Sequence, residues 1–61
     1  MIYDKIKLLC VNKRMSICTL EKKVGLSNGA VGKWRESSPS LDSLRKVAKY
    51  FDVPIEYFLQ E

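Results

Sequence analysis

The chain has 61 residues, 46% of them apolar, and eleven Lys/Arg against seven Asp/Glu leave a net charge of +4. That length holds one small core near the lower limit for independent folding, with no room for a second catalytic or ligand domain, and the apolar share argues against wholesale disorder. No apolar run is long enough to span a membrane, and the opening Met1-Ile2-Tyr3-Asp4 lacks the basic and apolar regions of a signal peptide, so a cytoplasmic location is expected.

The spacing predicts five short helices. In the first, roughly residues 2 to 13, Ile2, Ile6 and Leu9 or Cys10 recur at helical intervals, with Asp4 suiting the N-terminus and Lys13 and Arg14 the C-terminus. Ser16 is a good N-cap for a second helix through Val24, with Leu20 and Val24 one turn apart, and Gly25 supplies the left-handed residue that ends it. Leu26 then enters the core and Ser27 caps a third helix, on which Val31 and Trp34 form a buried stripe. A helix, a turn of three or four residues and another helix match a helix-turn-helix in scale. Glu36-Ser37-Ser38-Pro39 reads as a loop. Ser40 caps a fourth helix through Phe51, with Leu41, Leu44, Val47 or Ala48 and Phe51 inward, and Asp52 breaks it. Pro54 suits the first position of a terminal helix. There Ile55 and Leu59 share a stripe that Phe58 flanks, which leaves Tyr57 exposed, by itself often harmless. Nothing alternates with period two for long enough to make a sheet. The expected fold is all-α, a compact five-helix bundle forming one domain over residues 1–61.

Catalysis finds little support. The chain has no histidine, a Ser or Cys nucleophile would lack a base, and Gly29-Ala30-Val31-Gly32-Lys33 lacks the full phosphate-loop spacing and follows no strand. Two cysteines, Cys10 and Cys18, are too few for a structural zinc site; they are expected as reduced, partly buried thiols. No metal or other cofactor is implied.

Charge points instead to a polyanion. Residues 1 to 36 hold eight Lys/Arg against three acids, a balance of +5, while residues 37 to 61 hold three against four, a balance of −1. The outer face of the third helix is small and polar, so it would come close to a flat or grooved partner, most naturally the major groove of double-stranded DNA. Asn28 would donate and accept to adenine, or cap a helix end; Lys33 would reach guanine or a phosphate, or stand solvated. Gly29 and Gly32 each sacrifice about 1 kcal/mol of helix propensity, which close packing or docking would rationalise. Trp34 reads as core. Lys13, Arg14, Lys22, Lys23, Arg35 and Arg45 are candidate phosphate contacts, joined by the backbone amides near Ile17 and Leu41, with Ser38 and Ser40 beside the latter.

Two linked stretches carry a resemblance. The run Met15-Ser16-Ile17-Cys18-Thr19-Leu20-Glu21-Lys22-Lys23-Val24-Gly25-Leu26-Ser27-Asn28-Gly29-Ala30-Val31-Gly32-Lys33-Trp34-Arg35-Glu36-Ser37, followed by Pro39-Ser40-Leu41 and Leu44 to Pro54 with Phe58-Leu59, resembles the phage-repressor and Cro-type helix-turn-helix family, also called the xenobiotic-response-element family. The resemblance covers Ile6 to Leu59 and implies a lambda-repressor-like domain acting as a transcriptional regulator of the bacterial or phage kind. Such a protein would bind operator DNA as a homodimer and repress or activate transcription, with a repressor expected here. By position, Ser27, Asn28, Gly29 and Lys33 match groove-facing sites, Ile17 matches a phosphate site, and Tyr57 falls in the dimerising region. An antitoxin-type protein-interaction module is the alternative, since the third helix has few base-reading side chains; an RNA or non-specific nucleic-acid binder is a third. Four positions depart from the pattern. Glu21 stands where a small residue packs between the two helices and is expected to weaken that packing unless it reaches solvent or a basic partner. Arg35 replaces a glutamate that pairs with the first helix, Ile17 replaces a glutamine that would contact phosphate, and Ser37 replaces a loop glycine.

Overall fold

Ile6, Cys10, Leu20, Val31, Leu44, Val47, Ala48, Phe51 and Phe58 come from every helical element and meet in one core. The computed structural model describes residues 2–59; the ends of the expected 1–61 domain, Met1, Gln60 and Glu61, lie outside the described residues. The elements are α1 (Ile2–Asn12), α2 (Ile17–Val24), a 3-10 helix (Val31–Arg35), α3 (Leu41–Phe51) and α4 (Glu56–Leu59). There is no strand among the described residues. Over the described residues the domain is all-α, with four α-helices; the middle of the five expected helices is the 3-10 segment. Among the described residues, no helix is long and apolar enough to cross a membrane.

Local chemistry sets most of the boundaries. Ser16 and Ser40 cap α2 and α3 from extended backbone, each Oγ accepting from the amide three residues on, Thr19 at 3.1 Å and Ser43 at 3.2 Å. Each hydroxyl also donates to the hydroxyl of that residue, at 2.9 and 3.0 Å. Such caps stabilise a helix by about 1 kcal/mol. Three helices end alike. Arg14, Gly25 and Asp52 adopt φ of 56°, 77° and 57°, and the next amide bonds back to a carbonyl inside the helix: Met15 to Cys10, Leu26 to Glu21 and Val53 to Ala48. Only the second of these has the glycine that the left-handed region favours.

The C-terminal segment differs from its spacing. α4 starts at Glu56, two residues later than Pro54 suggests, after tight turns in which Tyr57 N–H donates to Pro54 and Phe58 N–H to Ile55. Burial also departs from the expected stripe of Ile55 and Leu59 with Tyr57 exposed. Phe58 is buried, Tyr57 is half-buried against the core, and Leu59 points outward at 56% exposure. The Lys5 ammonium of α1 donates to the Tyr57 carbonyl at 2.9 Å and stands 5.6 Å from its ring centre, so Tyr57 joins α1 to α4. The cysteines differ too. Cys10 is buried, which pushes its thiol pKa up, whereas Cys18 is exposed, and both are free.

Candidate nucleic-acid interface

The segment after α2 is not the helix expected from a Ser27 cap. Ser27 closes a turn instead, its carbonyl accepting from Ala30 N–H at 3.1 Å. Gly29 sits third in that turn with φ of 87°, a conformation for which a type II turn selects glycine. The helical run then starts only at Val31 and is 3-10, with Ala30 at its N-cap position and no side-chain cap. The connection therefore extends from Gly25 to Ala30, longer than three or four residues. Asn28-Gly29 is a turn dipeptide, and that signal in the sequence competes with the helical spacing of Val31 and Trp34. The glycine also explains itself: Gly29 is outside any helix. Gly32 has nothing within 4 Å of where a Cβ would stand, so internal packing does not require it.

Glu21 closes this turn from α2. Its side chain is 3% exposed; one carboxylate oxygen accepts from Gly29 N–H at 3.0 Å and the other from Val31 N–H at 2.9 Å. A left-handed residue followed by the right-handed Ala30 turns alternate amides toward one point, forming a small anion-binding nest. Burying a carboxylate is costly unless charge-assisted hydrogen bonds compensate, and here two backbone donors do so. The expectation that Glu21 weakens the junction unless it finds solvent or a basic partner is thereby corrected: its partners are backbone amides. Glu21 is the residue at this site that sequence reasoning misses as an asset, because the donors it serves exist only once the turn has formed.

The candidate contact residues divide by their surroundings. Ser27, Asn28, Gly29 and Lys33 are all exposed on or just after the turn. The Asn28 side-chain carbonyl accepts from the Cys18 thiol at 3.7 Å, so Asn28 is steadied from the start of α2. Lys33 projects from the 3-10 helix while its carbonyl accepts from Glu36 N–H, Ser37 N–H and Ser37 Oγ. Ser37 thus closes the loop without the positive φ of a glycine. Arg35 is exposed, but its guanidinium lies 5.2 Å from the Tyr3 ring centre in α1. A cation–π contact therefore ties α1 to the 3-10 helix in place of the ion pair. Arg14 and Ser38 are exposed, Ile17 is half-buried at the first residue of α2, and Ser40 is taken up in capping α3. Leu41 is 53% exposed at the start of α3. Trp34 packs partly buried against the core, as its spacing implies.

The described residues contain no cluster of His, Cys, Asp and Glu able to hold a metal ion. Compared with known sequence families, residues 6–58 match the helix-turn-helix family of the Cro/CI, xenobiotic-response-element type. The chain belongs to this helix-turn-helix family. Its members are non-catalytic DNA-binding regulators, and the chain is not an enzyme. No curated protein and no solved structure matches it closely enough to add to this. In this helix-turn-helix protein the first helix of the motif is α2 and the second is reduced to a glycine turn plus a 3-10 segment. DNA is the partner the family indicates.

Proposed function

We propose that this helix-turn-helix protein is a sequence-specific transcriptional regulator, a cytoplasmic repressor that reads operator DNA through the major groove as a homodimer. Its five helical elements then correspond to those of a lambda-repressor-like domain. The observation that carries the reading is the exposed polar tip Ser27-Asn28-Gly29, held by hydrogen bonds to α2 and followed by the exposed Lys33. Asn28 and Lys33 are the base-reading candidates, with Ser27 and the Gly29 backbone beside them. Arg14, Arg35, Ser38 and the helix starts at Ile17 and at Ser40-Leu41 supply the sequence-independent attraction to phosphate. Half-sites would lie about 34 Å apart on the duplex, and the bound dimer would exclude polymerase sterically.

Fluorescence anisotropy against duplexes selected from a random pool tests the reading. Asn28→Ala and Lys33→Ala should each weaken the selected complex about 5- to 100-fold, the range of one good base contact. The affinity should fall steeply with salt in the parent. Uniform weak binding to every duplex, unchanged by both substitutions, would sink it.

The dimer is assigned to α4, with Leu59 as the outward apolar contact and Tyr57 flanking it. Leu59→Glu should shift the sedimentation profile from dimer to monomer without unfolding the chain. A parent that sediments as a monomer at high concentration counts against the homodimer.

A second reading, an antitoxin-type protein-interaction module, draws support from Leu8 and Val11. They lie three apart on α1 and are 56% and 60% exposed.

A further inference from the structure

The nest at residues 29–31 is an anion site already filled from within. Its two converging amides, Gly29 and Val31, both donate to the buried Glu21 carboxylate, at 3.0 and 2.9 Å. Helix starts and nests of this kind hold phosphate when nothing else occupies them. Here the anion belongs to α2, so the bond it makes is a strut between the two halves of the motif. The strut spans the segment that bears Asn28 and ends at the residue that opens the 3-10 helix bearing Lys33. The other hydrogen bonds on residues 27–30 are weak or local, the Cys18 thiol on Asn28 at 3.7 Å and the turn's own Ser27–Ala30 bond, while the 3-10 helix beyond is anchored to the core and α1 by Val31, Trp34 and Arg35. A five-residue 3-10 helix has no rigidity of its own to set a register on DNA.

We propose that Glu21 is the positioning residue of the DNA-reading segment: its carboxylate fills the 29–31 nest and thereby sets where Asn28 and Lys33 stand relative to α2. This rests on the DNA-binding reading above. It assigns sequence discrimination in part to a buried residue that touches no base.

Glu21→Gln keeps the shape but replaces one acceptor oxygen with an NH2 group facing a backbone N–H. In the folded variant, discrimination between a duplex selected by the parent and its scrambled counterpart should fall at least about tenfold, the scale of losing one base contact. The slope of affinity with salt should stay that of the parent, because the phosphate contacts are untouched. The amide resonances of Gly29 and Val31 should move furthest. Glu21→Ala removes a group with the composition of acetate. Adding acetate should therefore restore both thermal stability and discrimination in that variant, and acetamide at matched ionic strength should not.

Folded Glu21→Gln that discriminates as the parent does overturns the proposal, as does an acetate response no larger than that of acetamide. A parent that selects no sequence from the pool is a different failure: it overturns the DNA reading itself, and the positioning role with it. The parent's own selectivity, measured first, separates the two.

Discussion

Glu21→Ala, the substitution that installs the small residue expected at this position, should destabilise the protein by about 2–5 kcal/mol. Judged by packing alone, alanine removes a buried charge from a helix–helix junction and ought to be an improvement. The hydrogen bonds reverse that judgement. Gly29 and Val31 N–H lose a charged acceptor, and water entering the vacated space replaces it only in part, least well at the fully buried Val31. Each of the two bonds to the carboxylate contributes about 1–3 kcal/mol. A single core in a domain this small rarely supplies more than about 3–5 kcal/mol in all. The variant should thus lie at the edge of unfolding, with a Tm about 10–30 °C below the parent's. Thermal melts followed by far-ultraviolet circular dichroism check this. A Tm equal to or above the parent's would mean that the carboxylate is a cost the fold tolerates and not one of its supports.

The second large effect is expected at the other end of the chain. Phe58→Ala should cost about 3–5 kcal/mol, while Leu59→Ala, compared at concentrations where the parent is monomeric, should change stability by less than about 0.5 kcal/mol. The two are adjacent apolar residues of a four-residue helix, yet Phe58 is 2% exposed and Leu59 56%. One helical turn has no stability alone, because nucleation costs more than its single turn of hydrogen bonds returns. α4 exists because Phe58 enters the core, its ring edge-on to Tyr57 at 5.3 Å, while Lys5 holds the Tyr57 carbonyl. Removing the ring therefore releases the whole segment and opens the floor of the core beneath α1. Urea unfolding of the two variants beside the parent separates them; equal midpoints would place α4 outside the cooperative unit.

Both predictions fall where residue spacing and the folded chain disagree. Elsewhere the spacing was enough. The helix-period stripes of Ile6 with Cys10, and of Leu44, Val47 and Phe51, identify core residues that the structure buries. Ser16 and Ser40 mark helix starts, Gly25 and Asp52 mark ends, and these signals act within one or two turns. The family match over residues 6–58 follows from the same local patterns in their order.

Two things were settled only by tertiary contact. The first is the form of the third element: Val31 and Trp34 have helical spacing, but Asn28-Gly29 prefers a turn, and the turn that forms is the one whose amides meet a carboxylate ten residues away from Val31. The second is which face of the terminal turn looks inward, decided by its packing on α1 and not by its four residues. Arg35 belongs with these, since its partner Tyr3 lies at the far end of the chain. The sequence by itself determined the stripes, the caps and the family, because those depend on neighbours along the chain. Where a signal was short or contested, the answer lay with groups that become neighbours only when the core closes, and there the tertiary structure decided.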